Sequence, residues 1–407
     1  MTERFFWKRR KTGRPGRHFF PPLEDARMKR IVTLLLMCCV IFSTTAAFAQ
    51  LRRSARPAAP RQAEAAPLVK HKTMIELDEQ FNTPDGMTVD KDGNIILAVP
   101  NAHAREGGTW LLKITPENTV EKYFWLRGHR ETRKACPLGI VFGSDGHLYI
   151  CDGQTIGGDS SHKARILRVL HENGKPVREQ TLVTGLVQAN GIDYANGKIY
   201  VAETQFVEGN PEVPMESGVF CFELSEFTTE RREPIRVAPN GKDPHCIYVF
   251  KTHNADWPIG ANGIAFSPCK KKLYVANFGD KAIIELTLDE SGKKVVSDRV
   301  CVQGGPIESV DGMKVCPGGF IFFADFAGNA VHVANPANGK VVVLAKDPPG
   351  GTGANGELDR CSEVCLRGDK LYVANIDLPY DNKNDRPHSV TVIDLAPVLD
   401  RLTKALE

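Results

Sequence analysis

Polar residues whose oxygens can bind a metal recur at regular intervals along the chain. Six segments share one pattern: a short apolar stretch, a tight polar turn, and a second apolar stretch such as "KLYVAN". Four of the six begin with Asp or Asn, and carboxylate and amide oxygens are the ligands that Ca²⁺, Mg²⁺ and Mn²⁺ prefer. A structural zinc site is disfavoured because no Cys or His begins a segment, although catalytic zinc with oxygen ligands stays open. The six starting residues are Asp85, Leu138, Asn190, Asn262, Asp311 and Ser362.

The spacing of these segments predicts the fold that positions them. Successive starts are separated by 53, 52, 72, 49 and 51 residues. A repeat of this length with several short strands per unit is typical of a β-propeller. We therefore predict an all-β fold, a six-bladed β-propeller over residues 70–407. The last blade lacks a fourth strand, and "KTMIELD" at 72–78 is expected to supply it, which closes the ring and removes the open sheet edge. "LAPVLDRLTKALE" predicts a short C-terminal helix.

In such a fold the first strand of each blade lines the central channel. The six starting residues are therefore expected to form a ring around one mouth, the inner ring. The Gly that follows several of them is expected to let the backbone bend sharply into the channel wall. The alternative is that Asp-Gly and Asn-Gly only bond their own backbone at the entry to a strand. The ends of the second strands form a wider outer ring, expected to consist mostly of turn caps: Asn101, Asp152, Glu203, Asn277, Asp325 and Asn375.

The third interval is longer than the others. Two stretches account for the extra length, "QFVEGNPEVPMESG" and "GKDPHCIYVFKTHNADW". We expect both to be loops on one rim of the disc. Within them Phe206 and Trp257 either line a pocket or simply pack.

The first 49 residues differ in composition from the rest. A basic start at Lys29 and Arg30, an apolar run over 31–42 and "AFA" before Gln50 predict a secretory signal peptide. The apolar run is short for a membrane span, so an uncleaved anchor is the less favoured alternative. Residues 1–27 leave two alternatives open, a true start at Met28 or a long basic leader. Residues 50–69, rich in Ala, Pro and Arg, are predicted to be a linker.

Charge and cysteine content limit the partners and the compartment. Residues 1–49 hold 10 of the 52 Lys and Arg and 3 of the 49 Asp and Glu, which leaves 42 and 46 and a net charge of −4 beyond the leader. Nothing in that balance favours nucleic acid. Nine cysteines follow the leader, an odd number, and most are expected to be small buried residues. We expect a periplasmic or secreted protein with a small-molecule substrate and no membrane span after cleavage; the oligomeric state stays open.

The runs "ANGIAFSPCKKKLYVANF" and "VDGMKVCPGGFIFFADF", together with "ESGVFCFEL", resemble the SMP-30/gluconolactonase/luciferin-regenerating family. The resemblance extends over about residues 70–400. It implies a six-bladed propeller with one divalent cation in the central channel, bound by Asp85, Asn262 and Asp311, with Asn190 beside the metal or substrate. Ca²⁺ is the first candidate, with Mg²⁺, Mn²⁺ or Zn²⁺ as alternatives.

Two positions depart from the pattern of that family. Asp85 stands where a Glu is usual, and Gln188 stands where an Arg often precedes the third-blade Asn. We expect Gln188, Asn190 and Glu203 to contact the substrate. The first hypothesis is an exported metal-dependent lactone or ester hydrolase in which Asp311 is the catalytic base. The alternative, favoured by the two departures, is a non-catalytic NHL-like propeller that binds a sugar, peptide or protein; a strictosidine-synthase-like chemistry is a third.

Overall fold

The computed structural model describes residues 67–70, 72–103, 107–155, 162–206, 213–228, 233–348, 353–378 and 386–407. The predicted leader and signal peptide, and residues 50–66 of the predicted linker, lie outside them. The backbone N–H groups of Leu68 and Val69 donate to the carbonyls of Val343 and Leu344 at 3.2 and 2.9 Å. The chain therefore joins the folded unit two residues before the predicted start at residue 70.

Six sheets surround a central channel, which confirms the predicted six-bladed propeller. The four principal strands of each blade pair antiparallel, and the innermost strand is the one that begins at or next to the inner-ring residue. The first blade contains β2 (Met87–Val89), β3 (Ile95–Leu97), β4 (Thr109–Ile114) and β5 (Val120–Leu126). The second contains β6 (Pro137–Phe142), β7 (Leu148–Asp152), β8 (Ala164–Glu172) and β9 (Lys175–Leu186), with β13 (Ile235–Arg236) added in parallel to β9. The third contains β10 (Ala189–Ala195), β11 (Lys198–Glu203), β12 (Met215–Glu223) and β14 (Cys246–Thr252).

The remaining three blades follow the same order. The fourth contains β15 (Ala261–Phe266), β16 (Lys272–Asn277), β17 (Ala282–Leu288) and β18 (Val295–Gln303). The fifth contains β19 (Met313–Val315), β20 (Ile321–Asp325), β21 (Ala330–Ala334) and β22 (Val341–Lys346). The sixth contains β23 (Cys361–Arg367), β24 (Lys370–Asn375), β25 (Ser389–Asp394) and, from the N-terminal side of the chain, β1 (Thr73–Glu76). The antiparallel pairing of β1 with β25 confirms the predicted closure of the ring.

The third blade corrects the prediction that its long interval consists of loops. "MESG" begins β12, and "CIYVFKT" is β14, the outer strand of the blade. The sequence hid this strand because it is half exposed, so its alternation is weak, and because its partner β12 lies more than twenty residues earlier. In the third blade the connection between the third and fourth strands runs over residues 224–245 and is longer than the corresponding connection in the first, second, fourth and fifth blades.

Period-2 alternation explains how each strand packs against two neighbours. In "KLYVAN" of β16, Leu273 and Val275 pack toward the third blade, whereas Tyr274 and Ala276 pack toward the fifth. Successive side chains of a strand point to opposite faces of the sheet, and in a propeller both faces are covered by adjacent blades. The inner strands are therefore apolar at nearly every position, and the hydrophobic core is a series of layers between blades.

The C-terminus and the cysteines agree with the sequence. A 3₁₀ turn (Ala396–Val398) leads into α1 (Leu399–Leu406), which buries Leu402 and Leu406. Six of the nine cysteines beyond the leader are buried, and no disulfide joins any of these nine in the described part of the chain. None of the described helices is both long and apolar enough to cross a membrane.

Glycines let the innermost strands approach one another around the channel. A Cβ on Gly263 would lie 2.2 Å from the carbonyl oxygen of Asp311, and one on Gly191 would lie 2.3 Å from that of Asn262. Gly86, Gly139 and Gly312 contact the next blade in the same way. None of these five has a positive φ. Close approach therefore requires glycine at these positions, because any side chain would collide with the neighbouring backbone.

We expect Ile75→Ala to lower the free energy of unfolding by about 2–4 kcal/mol, because Ile75 is the buried residue of the closing strand. Urea denaturation measures the change. Glu76→Ala, on the exposed face of the same strand, is the control and should change stability by less than about 0.5 kcal/mol. Equal effects of the two variants would contradict closure by β1.

We expect Gly263→Ala to cost about 1–3 kcal/mol of stability, since the added Cβ must separate the inner strands of the fourth and fifth blades. Gly318→Ala is the matched control, because a Cβ there meets only the Cys316 sulfur at 3.7 Å. Thermal and urea unfolding of both variants decide the matter. A Gly263→Ala protein as stable as its control would show that close approach is not what requires glycine.

Candidate functional site

In the second, third and fourth blades the inner-ring residue stands at an irregularity in the first strand. In the fourth blade Ala261 pairs with Asn277 and Ile264 with Val275, so Asn262 and Gly263 together oppose one residue. The second and third blades show the same register shift. A β-bulge re-aims the side chain that it carries. The bulge thus explains why an Asn-Gly pair begins a strand here instead of forming a hairpin turn.

One pocket at the mouth of the channel contains the whole inner ring. Its cavity measures about 70 Å³. It unites five of the six predicted site residues, which come from four blades. The lining residues are Asp85, Leu138, Gln188, Asn190, Ile259, Asn262, Phe278, Asp311, Phe326, Ser362, Ile376 and Leu378.

The two carboxylates of the pocket destabilise each other's charge. Burial raises the pKa of Asp85 to about 7, with a further increase from the charge of Glu363. Burial also raises the pKa of Asp311 well above its usual range, and the charges of Asp85 and Glu363 add to it. A hydrogen bond from Asn262 partly stabilises the Asp311 carboxylate. The pocket is therefore short of positive charge.

Glu203 lies elsewhere than the substrate-contact prediction requires. It is 1% exposed and does not line the pocket. Its Oε1 accepts hydrogen bonds from the backbone N–H groups of Val187 and Gln188 at 2.9 and 2.7 Å. Burial raises its pKa to about 8, against these two hydrogen bonds. Glu203 holds the loop before Asn190 in place and does not face the ligand.

The same backbone contact recurs around the outer ring. Oδ1 of Asp325 accepts from the backbone N–H of Ser309 at 2.7 Å, two residues before Asp311. Asn101, Asp152 and Asn375 accept in the same way from residues two or three positions before their inner-ring residue. Asn277 differs, because its Oδ1 accepts from the hydroxyl of Thr252. The outer ring is thus structural, as expected of turn caps.

The donor set of the pocket fits a hard divalent cation. The side chains that converge are two carboxylates, Asp85 and Asp311, and two amides, Asn190 and Asn262. All four offer oxygen, and the shortage of positive charge would be relieved by a cation. No group of three His, Cys, Asp or Glu side chains able to hold a metal occurs among the described residues. A metal here would depend on amide oxygen as well as carboxylate.

A buried ion pair below the inner ring was not found from the sequence. Nζ of Lys314, three residues after Asp311, lies 3.3 Å from Oε2 of Glu363. Glu363 follows Ser362 at the position that Gly occupies in the other five blades, and its carboxylate fills the space left by Gly312. Burial raises the pKa of Glu363, and Lys314 opposes that shift. The only signal in the sequence was the exchange of Gly for Glu in the sixth repeat.

One side of the pocket is apolar. Phe278, Phe326 and Ile376 are 3–4% exposed and form one cluster with Trp257, Ile259 and Leu378. We call these six residues the apolar wall. All except Trp257 line the pocket, and the Trp257 ring packs against Phe278 with centroids 5.9 Å apart. Trp257 therefore supports the pocket from behind.

Comparison with known proteins confirms the resemblance drawn from the sequence. Residues 239–350 match the family model described as "SMP-30/Gluconolactonase/LRE-like region". A luciferin-regenerating enzyme is 14% identical, with 80% of this chain and 96% of that chain covered and a TM-score of 0.52. A gluconolactonase of Xanthomonas campestris is 15% identical, with 83% of this chain and 99% of that chain covered and a TM-score of 0.51.

A third solved structure, from Thermus thermophilus, is described as an oxidoreductase (glucose dehydrogenase) and is 15% identical to this chain. The alignment covers 79% of this chain and 100% of that chain, with a TM-score of 0.50. No curated protein matches the chain in sequence. Structures this distant in sequence share the propeller fold alone, and the reaction must be argued from the pocket.

We expect Lys314→Met to lower the free energy of unfolding by about 3 kcal/mol, because Glu363 would remain buried without its counter-charge. Adding Glu363→Gln should recover most of the loss. Lys281→Met, which removes an exposed partner of Glu308, is the control and should cost less than about 1 kcal/mol. Urea denaturation of the four proteins tests this; a single variant as stable as the wild type would contradict the pairing.

Proposed function

We propose that this chain is an exported, divalent-metal-dependent hydrolase that opens a lactone or a related ester. The observation that carries the proposal is the convergence of Asp85, Asn190, Asn262 and Asp311 in one channel pocket. The match of residues 239–350 to the SMP-30/gluconolactonase family supports the reaction class. The signal-peptide pattern before Gln50 supports a periplasmic or secreted location.

Asp85, Asn262 and Asp311 are the residues that would hold the cation, with Ca²⁺ the first candidate and Mg²⁺, Mn²⁺ or Zn²⁺ the alternatives. Both carboxylates have raised pKa values for the same reason, burial among like charges. When bound, the cation supplies positive charge that polarises the substrate carbonyl. The Asp85 arm is shorter than the Glu usual in the family, so the site would sit closer to the first blade.

Asp311 is the residue best placed to move the proton. Its carboxylate lies in the pocket with the other inner-ring residues, and a carboxylate can accept a proton from the water that attacks the carbonyl. The oxygen of a water adds to the carbonyl carbon while Asp311 takes a proton from that water. The ring C–O bond then breaks, and the proton passes to the departing alkoxide oxygen. The product is a hydroxy acid.

Asn190 and Gln188 position the substrate on the third-blade side of the pocket. Both line it, and an amide N–H can donate to the carbonyl oxygen or to a ring oxygen as negative charge develops. The hydrogen bonds from the backbone of Val187 and Gln188 to Glu203 keep this loop in one conformation. Preorganised donors are more effective because they need no reorganisation during the reaction.

Asp311→Asn tests the proposal, since it keeps an oxygen at the site and removes the base. We expect kcat to fall by about 10²–10⁴-fold, whereas Asp311→Ala should lose both bound metal and activity. The measurements are metal content of the purified protein and hydrolysis of a lactone panel with and without a chelator. Asp92→Asn, an exposed hairpin carboxylate, is the control and should behave as wild type.

Two outcomes would overturn the proposal. An Asp311→Ala protein with full lactonase activity would remove Asp311 from the mechanism. A wild-type protein that binds a divalent cation yet turns over no lactone or ester would favour the alternative, a non-catalytic propeller that binds its partner at the same mouth.

A further inference from the structure

The apolar wall occupies half of the channel mouth because of a regular position in the repeat. In the fourth, fifth and sixth blades the residue after the outer ring is Phe278, Phe326 or Ile376. In the first three blades the same position holds small residues, Ala102, Gly153 and Thr204. Among the described residues, the fourth, fifth and sixth blades therefore present bulky apolar side chains to the pocket at this position.

The wall is already packed without a ligand. The rings of Phe278 and Phe326 lie with centroids 6.2 Å apart, and Trp257 is 5.9 and 6.5 Å from them. The guanidinium of Arg360 lies over the Phe326 ring at 5.8 Å but does not line the pocket. Aromatic groups held this firmly present a flat apolar surface at little cost in conformational entropy.

The polar part of the lining surrounds the inner ring and offers few groups for a highly polar ligand. It consists of two carboxylates, three amides and the hydroxyl of Ser362, and Lys, Arg and His are absent from the described lining. A substrate with hydroxyl groups all around it would bury some of them against the aromatic rings without partners, which is unfavourable.

The lining of the pocket points to the same class of ligand. A substrate whose carbonyl lies at the inner ring shares the pocket with Phe278, Phe326, Ile376 and Leu378. Contact with that surface is favourable only for an apolar arm.

We propose that the substrate is an uncharged lactone or ester with an alkyl or aromatic arm that lies on the apolar wall, and not a polyhydroxylated sugar lactone. This inference rests on the proposed hydrolase function and adds the substrate class to it. The inner ring contacts the carbonyl end of the substrate, and the apolar wall contacts its arm and favours an apolar one. Leu378 and Ile259, at the half-exposed rim of the wall, contact the end of the arm.

A series of γ-lactones with alkyl arms of increasing length, compared with δ-gluconolactone, tests the proposal. We expect kcat/KM to rise by about fourfold per added methylene until the wall is covered, mostly through KM. Leu378→Ser should flatten this dependence by lowering kcat/KM for the long-arm lactones. Phe278→Leu, a milder change inside the wall, should partly reduce the dependence of kcat/KM on arm length. Val296→Ser, an exposed residue of the outer strand β18, is the control.

The outcomes separate this inference from the proposed function. Preference for δ-gluconolactone, or rates independent of arm length, would overturn the apolar arm and leave the hydrolase intact. If no lactone is turned over, the hydrolase proposal fails, and binding of a long-arm lactone then tests the inference about the apolar arm. A long-arm γ-lactone should then still raise the Tm of the wild type and not that of Leu378→Ser; no shift in either would overturn it.

Discussion

The site depends on a hydrogen bond between a polar side chain at the end of a second strand and the backbone just before the first strand. Five blades make this contact, and its Asp and Glu acceptors are buried. The contact fixes where these inner strands enter the channel wall. The outer-ring residues do not line the pocket, whereas the inner-ring residues do.

Close packing at the axis sets the second constraint. Gly86, Gly139, Gly191, Gly263 and Gly312 bring five inner strands against the next carbonyl, and the sixth blade breaks the series with Glu363. That exception places a third carboxylate near Asp85 and Asp311, balanced only by Lys314. The channel therefore combines strong burial with excess negative charge. Such a combination favours a bound cation or protonated carboxylates, and the oxygen donors suit the cation.

The pocket joins two chemically different halves above one ring. Polar groups at the bottom and on the third-blade side handle a carbonyl, while the apolar wall excludes water from the other side. Electrostatic interactions are stronger where water is excluded, so the wall strengthens the polar groups as well as selecting a ligand. Both halves arise from neighbouring positions of one repeat: the inner-ring residue and the residue that follows the outer ring.

The sequence alone determined the blade number, the closure by β1, the channel location of the inner ring and the capping nature of most of the outer ring. These follow from local rules, because strand alternation and the spacing of repeats are written in contiguous residues. It did not reveal β14, since that strand is half exposed and separated from its partner by a long connection.

Only the tertiary structure decided the rest. It showed that glycine permits close approach of the inner strands, that Glu203 binds backbone, that Lys314 pairs with Glu363, and that an apolar cluster lines part of the pocket. Each of these depends on contacts between residues about fifteen to fifty or more positions apart. Spacing within a repeat places a residue on a face of its own blade, but what it meets there is set by the neighbouring blade.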